Sequence, residues 1–426
     1  MSSRRAHLLL AFLTLLDILG FADRSLLAGF SLQVVNDLKM SYAQFSFLSG
    51  MAFVLFNALS LLGTGYLADR VNRPRLMAAG MFMRSAMTAL ARGFGTMAVT
   101  RAFVGIGEVS LAPGGLGLLS DVFPPRQRGL VPGVFFLGPP VGVACSYFIA
   151  SGLGPQLGRR NCFLELGLLG MIISGFILLI RDPRPAPVAS VSATPAGPSL
   201  TTLFRVLRTS APLRYLLLGS TFIVFSVGAT VMDIVWLVRE RGFTEAGAQQ
   251  AAGGLFLIGG IVGTYGGWLA GDWFGSRYEG DRALFLAGTY LLLGPVSIAF
   301  RLMSPDNILF YPFMFIGCIN IMLVSGVPIA AATELVPERI RSTATTFTII
   351  VTNVVGYSIG SFLVGTLSDY FVRLGYTEPI SWADFWITVA ALPAIACFYL
   401  SHRGQRNQSA TDPLPTGQPT ILNQLT

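Results

Sequence analysis

Four charged side chains stand inside apolar stretches, where charge is costly. Asp23 and Arg24 are adjacent in the first hydrophobic run, and Arg101 and Glu108 lie seven residues apart in the fourth. A charge at membrane depth costs from about 2.5 to over 10 kcal/mol, so such residues usually mark a pathway or a switch. Two carboxylates and two guanidiniums balance to zero, and one added proton changes that balance. The chemistry on offer is reversible protonation that drives a change of partner.

Residues i and i+1 of a helix do not face one another. Asp23 and Arg24 therefore each require a partner on another helix. Arg101 and Glu108 share nearly one face, about 10 Å apart along the axis. The expected pairing sets Arg24 against Glu108, and Asp23 against Arg101 or a nearby backbone group. Burial disfavours a carboxylate's charged form, and a neighbouring guanidinium favours it. An acid that loses its Arg is thus expected to take up a proton, with Asp23 as the primary site and Glu108 as its coupled partner. A static network tying helices one and four together is the competing reading. Asp17, seven residues before Arg24, is a candidate third acid. Arg84, Glu165 and Asp233 read as interfacial or structural as readily as direct.

The elements that carry these charges must be membrane helices. Of 426 residues, 53% are apolar and only 12% charged, and the mean hydropathy is +0.65. A soluble domain carries about 25% charge. The net charge of +8 points to cytoplasmic loops under the positive-inside rule, not to nucleic acid. Cys145, Cys162, Cys318 and Cys397 form no metal spacing, so no metal is expected. His7 and His402 lie at helix margins, which leaves carboxylates as the proton carriers. No phosphate-cradling loop or triad-like constellation is present, so the chain does not read as an enzyme. Arg4 and Arg5 precede an apolar run without a small-residue cleavage site, so the run reads as a retained first helix.

A spanning helix needs about 20 apolar residues. Twelve are expected, at 8–34, 43–68, 76–95, 98–121, 129–152, 162–180, 212–238, 245–270, 282–303, 307–334, 342–370 and 382–402. They divide into a six-helix bundle over 1–180, a Pro/Ala/Ser-rich linker over 181–211, a second bundle over 212–402 and a disordered cytoplasmic tail over 403–426. With both termini inside, inner segments hold 18 basic residues and outer segments 8, which favours that orientation. The halves repeat. A slide of 203 sets Ser41 on Thr244, Gly50 on Gly253, Gly63 on Gly266 and Asp69 on Asp272, and a slide of 213 sets Pro124, Arg126 and Arg128 on Pro337, Arg339 and Arg341. Two parallel repeats imply rocking about a central site.

The second helix ends in Gly65-Tyr66-Leu67-Ala68-Asp69-Arg70-Val71-Asn72-Arg73-Pro74-Arg75. This resembles the loop signature of the major facilitator superfamily, with Asn72 in the usual glycine position. The resemblance implies an all-α membrane fold of two pseudo-symmetric six-helix bundles. It also implies a conformational latch between the halves, for which Asp69, Arg70, Arg73, Asp272, Arg339 and Arg341 are the matching residues. Ala22-Asp23-Arg24, Gly105-Ile106-Gly107-Glu108, Pro140-Val141-Gly142 and the run Pro337–Ala344 with Phe347, Gly356, Gly360, Gly365 and Asp369 resemble the spinster family. That resemblance implies an amphiphilic, lysolipid-like cargo and proton coupling, with no cofactor besides protons. Asn353 stands where many spinster relatives carry His, and an amide takes up no proton near neutral pH. Gly138-Pro139-Pro140-Val141-Gly142 partly matches an antiporter motif.

The cargo site is expected at the midplane between the halves, with Phe30, Phe222, Phe225, Trp236, Phe347, Asn353 and Tyr357 as candidate walls. Glu334 is a candidate gate partner of Arg341. The expected protein is a monomeric, proton-coupled transporter in a bacterial inner membrane, moving an amphiphile among membrane lipids. A drug-like or organic-anion cargo, or a non-transporting sensor, are the alternatives.

Overall fold

The computed structural model describes residues 3–84, 88, 91–124, 130–180, 197–278 and 282–411. Twelve helical units follow one another along these residues. The first half holds α1 (Ser3–Gly29), α2 (42–70), α3 (Arg73–Arg84), α4 (Phe94–Glu108, resumed at Leu111–Val122), α5 (Val131–Gly152) and α6 (Gly154–Ile177). The second holds α7 (Ala211–Arg239), α8 (Glu245–Arg277), α9 (Arg282–Leu302), α10 (Phe310–Glu334), α11 (Arg341–Arg373) and α12 (Pro379–Val389, resumed at Pro393–Thr411). Ten of the described helices are long and apolar enough to cross a membrane. In hydrocarbon every backbone N–H and C=O must be satisfied internally, which selects helices for such sequences.

Three segments depart from expectation. The first helix stops at Gly29, and a short helix, Ser31–Asp37, follows Phe30. Within the stretch read as a linker, Gly197–Thr209 is a helix that sets Leu203, Val206 and Leu207 on the second-half core; residues 181–196 lie outside the described residues. Its apolar residues recur at helical spacing, a signal that the flanking Pro and Ser content obscured. The polar tail does not begin at 403, because α12 continues to Thr411. Gln, Arg and Ala sustain a helix there, and no proline intervenes before Pro413. Residues 412–426 lie outside the described residues, as do Arg126 and Arg128.

The core is divided at one end and continuous at the other. Near the termini, Leu10, Met77 and Leu118 belong to one cluster in the first half, while Leu213, Leu286 and Phe398 belong to another in the second. At the opposite end a single cluster runs from Leu26, Phe45 and Phe163 to Trp236, Phe310 and Ile380, across both halves. The two halves thus join along the far end and also along α5 and α8, where the Tyr265 hydroxyl donates to the Gly133 carbonyl at 2.8 Å.

The far-end junction is built by α2 and α11. Asp369 accepts from the backbone N–H groups of Tyr42 at 3.1 Å and Ala43 at 2.9 Å. It caps the start of α2, alongside the reciprocal Ser41–Gln44 capping box, so orphan donors at a buried helix end are met. Thr244 caps α8 by accepting from Gly247 N at 3.1 Å. That cap stands where the repeat places Ser41's counterpart.

Candidate functional site

Arg24 lies near the end of α1 and points toward α4. Its Nη1 donates to Glu108 Oε1 at 3.0 Å, with side-chain exposures of 27% and 16%. The guanidinium also stacks over the Phe53 ring of α2, 4.3 Å from its centroid. From the second half, Tyr357 lies within electrostatic range of Arg24. One cation is therefore bonded to an acid of its own half and lies near a phenol of the other.

Arg101 supports this pair from behind. It is 1% exposed, donates Nη1 to the Arg24 carbonyl at 3.3 Å and Nη2 to Thr88 Oγ1 at 3.1 Å. The expected Arg24–Glu108 contact between helices one and four is present, and Arg101 reaches helix one through the Arg24 carbonyl. Asp23 is 6% exposed. Glu108 is the last residue of the first α4 segment, where the helix breaks before Leu111. Its Oε2 is buried without a hydrogen bond among the described residues. Gly105 lets α4 approach the Phe53 carbonyl so closely that any Cβ would collide. That close approach sets Glu108 beside α1 and α2.

The remaining expectations divide. Asp17 packs its carboxylate on Gly138 of α5. Glu165 is exposed on α6. Phe30 and Trp236 are 0% exposed: Phe30 packs against Phe163, and Trp236 stacks on Phe310 and donates to Ser381 Oγ at 2.8 Å. Neither can wall a cargo site in this conformation, because neighbouring rings fill the space around them. Phe347 meets Phe204 edge-on. Phe222 packs on the second-half core and Phe225 on the far-end core. Asn353 and Tyr357 fall in a π-helical turn, Thr352–Tyr357, within α11, a distortion frequent at functional sites. Asn353 donates to the Ile349 carbonyl at 2.9 Å.

Three of the latch residues, Arg73, Asp272 and Arg341, form ion pairs inside their own halves. Arg73 meets Asp121 at 2.7 Å, Arg282 meets Asp272 at 2.7 Å and also Glu334, and Arg341 meets Glu338 at 3.3 Å. Glu334 is therefore held by Arg282 rather than by Arg341, because α9 begins beside the end of α10. The side chains of Asp69, Arg70, Arg84 and Arg339 lie outside the described residues.

A second charge cluster is one that sequence reasoning missed. Arg301, at the end of α9, contacts Asp233 of α7 at 2.7 Å and Asp384 of α12 at 3.0 Å. Arg241 joins Glu378 at 3.0 Å just beyond. Glu240, outside the membrane spans, accepts from Ser381 N at 2.8 Å and caps α12. Burial pushes its carboxyl above the usual value of 4.5, and the bonds from Ser381 and Ile380 oppose that rise.

The family model described as Major Facilitator Superfamily matches residues 13–361. The chain is similar to Protein spinster homolog 3 of Danio rerio, 26% identical over 419 residues, 90% of this chain and 80% of that protein. It is also similar to an MFS-type efflux pump of Mycolicibacterium smegmatis, 26% identical over 380 residues, 86% of this chain and 85% of that protein. A bacterial homolog to human lysosomal transporter spinster, solved in an inward-facing and unoccupied conformation, shares the fold with a TM-score of 0.82 at 22% identity, covering 96% of this chain and 99% of that one.

Proposed function

The chain belongs to the major facilitator superfamily, and from that premise we propose that it exchanges protons for an amphiphilic, lipid-like substrate by alternating access. It is a multi-pass membrane transporter, not an enzyme. The observation that carries the proposal is the Arg24–Glu108 pair at 3.0 Å, with Tyr357 of the opposite half within electrostatic range of the same guanidinium. Protonating Glu108 or the adjacent Asp23 weakens the hold of the first half on Arg24 and frees the guanidinium for an anionic head group or for Tyr357. Deprotonation reverses this. A charge that changes partner across the two halves converts proton binding into bundle movement, because only interactions that differ between two states shift their balance. The divided core supports entry from the end that carries the termini. The resemblance to spinster proteins supports the amphiphilic cargo.

The test is flux of a labelled lysophospholipid into proteoliposomes, with and without an imposed pH gradient. Gradient-stimulated flux is expected in the parent and lost in Asp23→Asn, while binding of the lysolipid persists. Gradient response unchanged in that variant removes Asp23 from the coupling. Inhibition by small organic acids without competition by lysolipid overturns the lipid assignment in favour of an organic anion held by Arg24.

A further inference from the structure

The buried cluster of the second half holds more acid than base. Asp233 and Asp384 share one guanidinium, Arg301. The Arg301 side chain is 8% exposed and that of Asp384 1%, so bulk water does not compensate either. Among the described residues, the side chains facing the two aspartates supply no further cation; Arg241 touches the cluster through the Arg301 carbonyl. Tyr290 shares a cavity with Asp233 and Arg301, Cys318 of α10 and Tyr147 of α5 lie within electrostatic range, and all three are neutral at ordinary pH. Tyr357 of α11 is a fourth such neutral group. Beyond the cluster, Arg241 is matched by Glu378, and Glu240 adds another acid. With both aspartates ionised the triad carries one unbalanced negative charge. A buried ion without a partner neutralises rather than remain charged.

We propose that Asp233, Arg301 and Asp384 form a second proton-binding site, which holds one proton on Asp384 at neutral pH. Asp384 is the carrier for three reasons. Its contact with Arg301 is the longer one, its side chain is buried to 1% against 14% for Asp233, and neither of its carboxylate oxygens accepts a hydrogen bond among the described residues. A cavity of about 50 Å³ adjoins Asp233 and Arg301, with Ser226, Thr230 and Asn320 on its wall. It is large enough for water, which requires about 10–15 Å³. A hydronium ion there gives its proton to Asp233, the carboxylate on the cavity wall, and remains as water; passed on to Asp384, the other acid on Arg301, that one proton leaves the triad neutral. Tyr357 lies within electrostatic range of Asp233 on one side and of Arg24 and Glu108 on the other. The site depends neither on the cargo nor on proton handling at Glu108.

Infrared difference spectroscopy of the full-length protein in liposomes, titrated from acid to alkaline pH, tests this without a transport readout. At neutral pH the parent is expected to show a protonated-carboxyl stretch that Asp384→Asn removes and Glu108→Gln leaves in place. Asp233→Asn supplies a second arm where the first variant folds poorly. It leaves Asp384 matched one to one with Arg301, so the same band is expected to disappear. A parent without the band, or a band that survives both asparagine variants, overturns the proposal.

Discussion

Arg24 touches two helices besides its own, through Glu108 on α4 and Phe53 on α2, and lies within electrostatic range of Tyr357 on α11. Its removal leaves Glu108 buried without a cation, and breaking a buried pair in this way costs about 3–5 kcal/mol. Arg24→Ala is therefore expected to lower the thermal unfolding midpoint of the purified protein at neutral pH. Adding Glu108→Gln should recover part of that loss, since it removes the stranded charge. A double-mutant cycle is expected to give a coupling within about 0.5–3 kcal/mol; additive losses would show that the pair is not an energetic unit. This contact was legible because adjacent helical residues cannot satisfy one another and because Arg101 and Glu108 share a face. The Arg301–Asp384 contact was not. Arg301 sits at the end of α9 and reads as a loop cation, but the 3₁₀ turn Phe300–Leu302 turns its side chain into the bundle. Asp384 is a lone acid in an apolar run, and no spacing rule ties it to a residue so far away in sequence.

At the scale of elements, helix number and type followed from apolar run length, whereas helix ends and breaks did not. The stops at Gly29 and Glu108 depend on packing with neighbouring helices, which leaves no local mark. The glycines of α11 do have a readable cause in three dimensions. A Cβ at Gly365 would strike the Tyr42 carbonyl, and one at Gly360 the Phe225 carbonyl. Gly365→Val is thus expected to pry α11 from α2 at the far end. With Cys145, Cys162, Cys318 and Cys397 replaced and Ser46→Cys added, labelling by a membrane-impermeant maleimide should rise when Gly365→Val is introduced, because Ser46 is 0% exposed in the joined state. Equal labelling with and without the valine would show that this junction does not seal the far end. The Glu240 cap on α12 has its own signature. An acid raised by burial favours the folded state most strongly when protonated, so its contribution is full below pH 4.5 and is lost as pH rises through the raised value. Glu240→Gln should remove that slope in unfolding measurements across acidic to neutral pH, and an unchanged slope would assign it to another group.

Across the whole molecule, the duplication shows in contacts as well as in letters. The pair from the start of α3 to the end of α4, Arg73–Asp121, recurs from α9 to α10 as Arg282–Glu334. Both tie helices within one half at the end that carries the termini. The same end has a split core, while the far end is bridged by Arg239, which donates to Asn36 Oδ1 at 2.8 Å across the halves. Among the described residues, the ion pairs of Arg73 with Asp121, Asp272 with Arg282 and Arg341 with Glu338 each lie within one half, and the far end is where the halves are bridged. Rocking of the two bundles requires that bridge to open. Asn36→Cys with Arg239→Cys, in a background without the four native cysteines, is expected to accept a short reversible thiol cross-linker. Linked protein should bind labelled lysolipid yet transport none, and reduction should restore flux. Full transport by the linked protein would mean that the far end need not part, and movement would then have to be sought within a bundle rather than between the two.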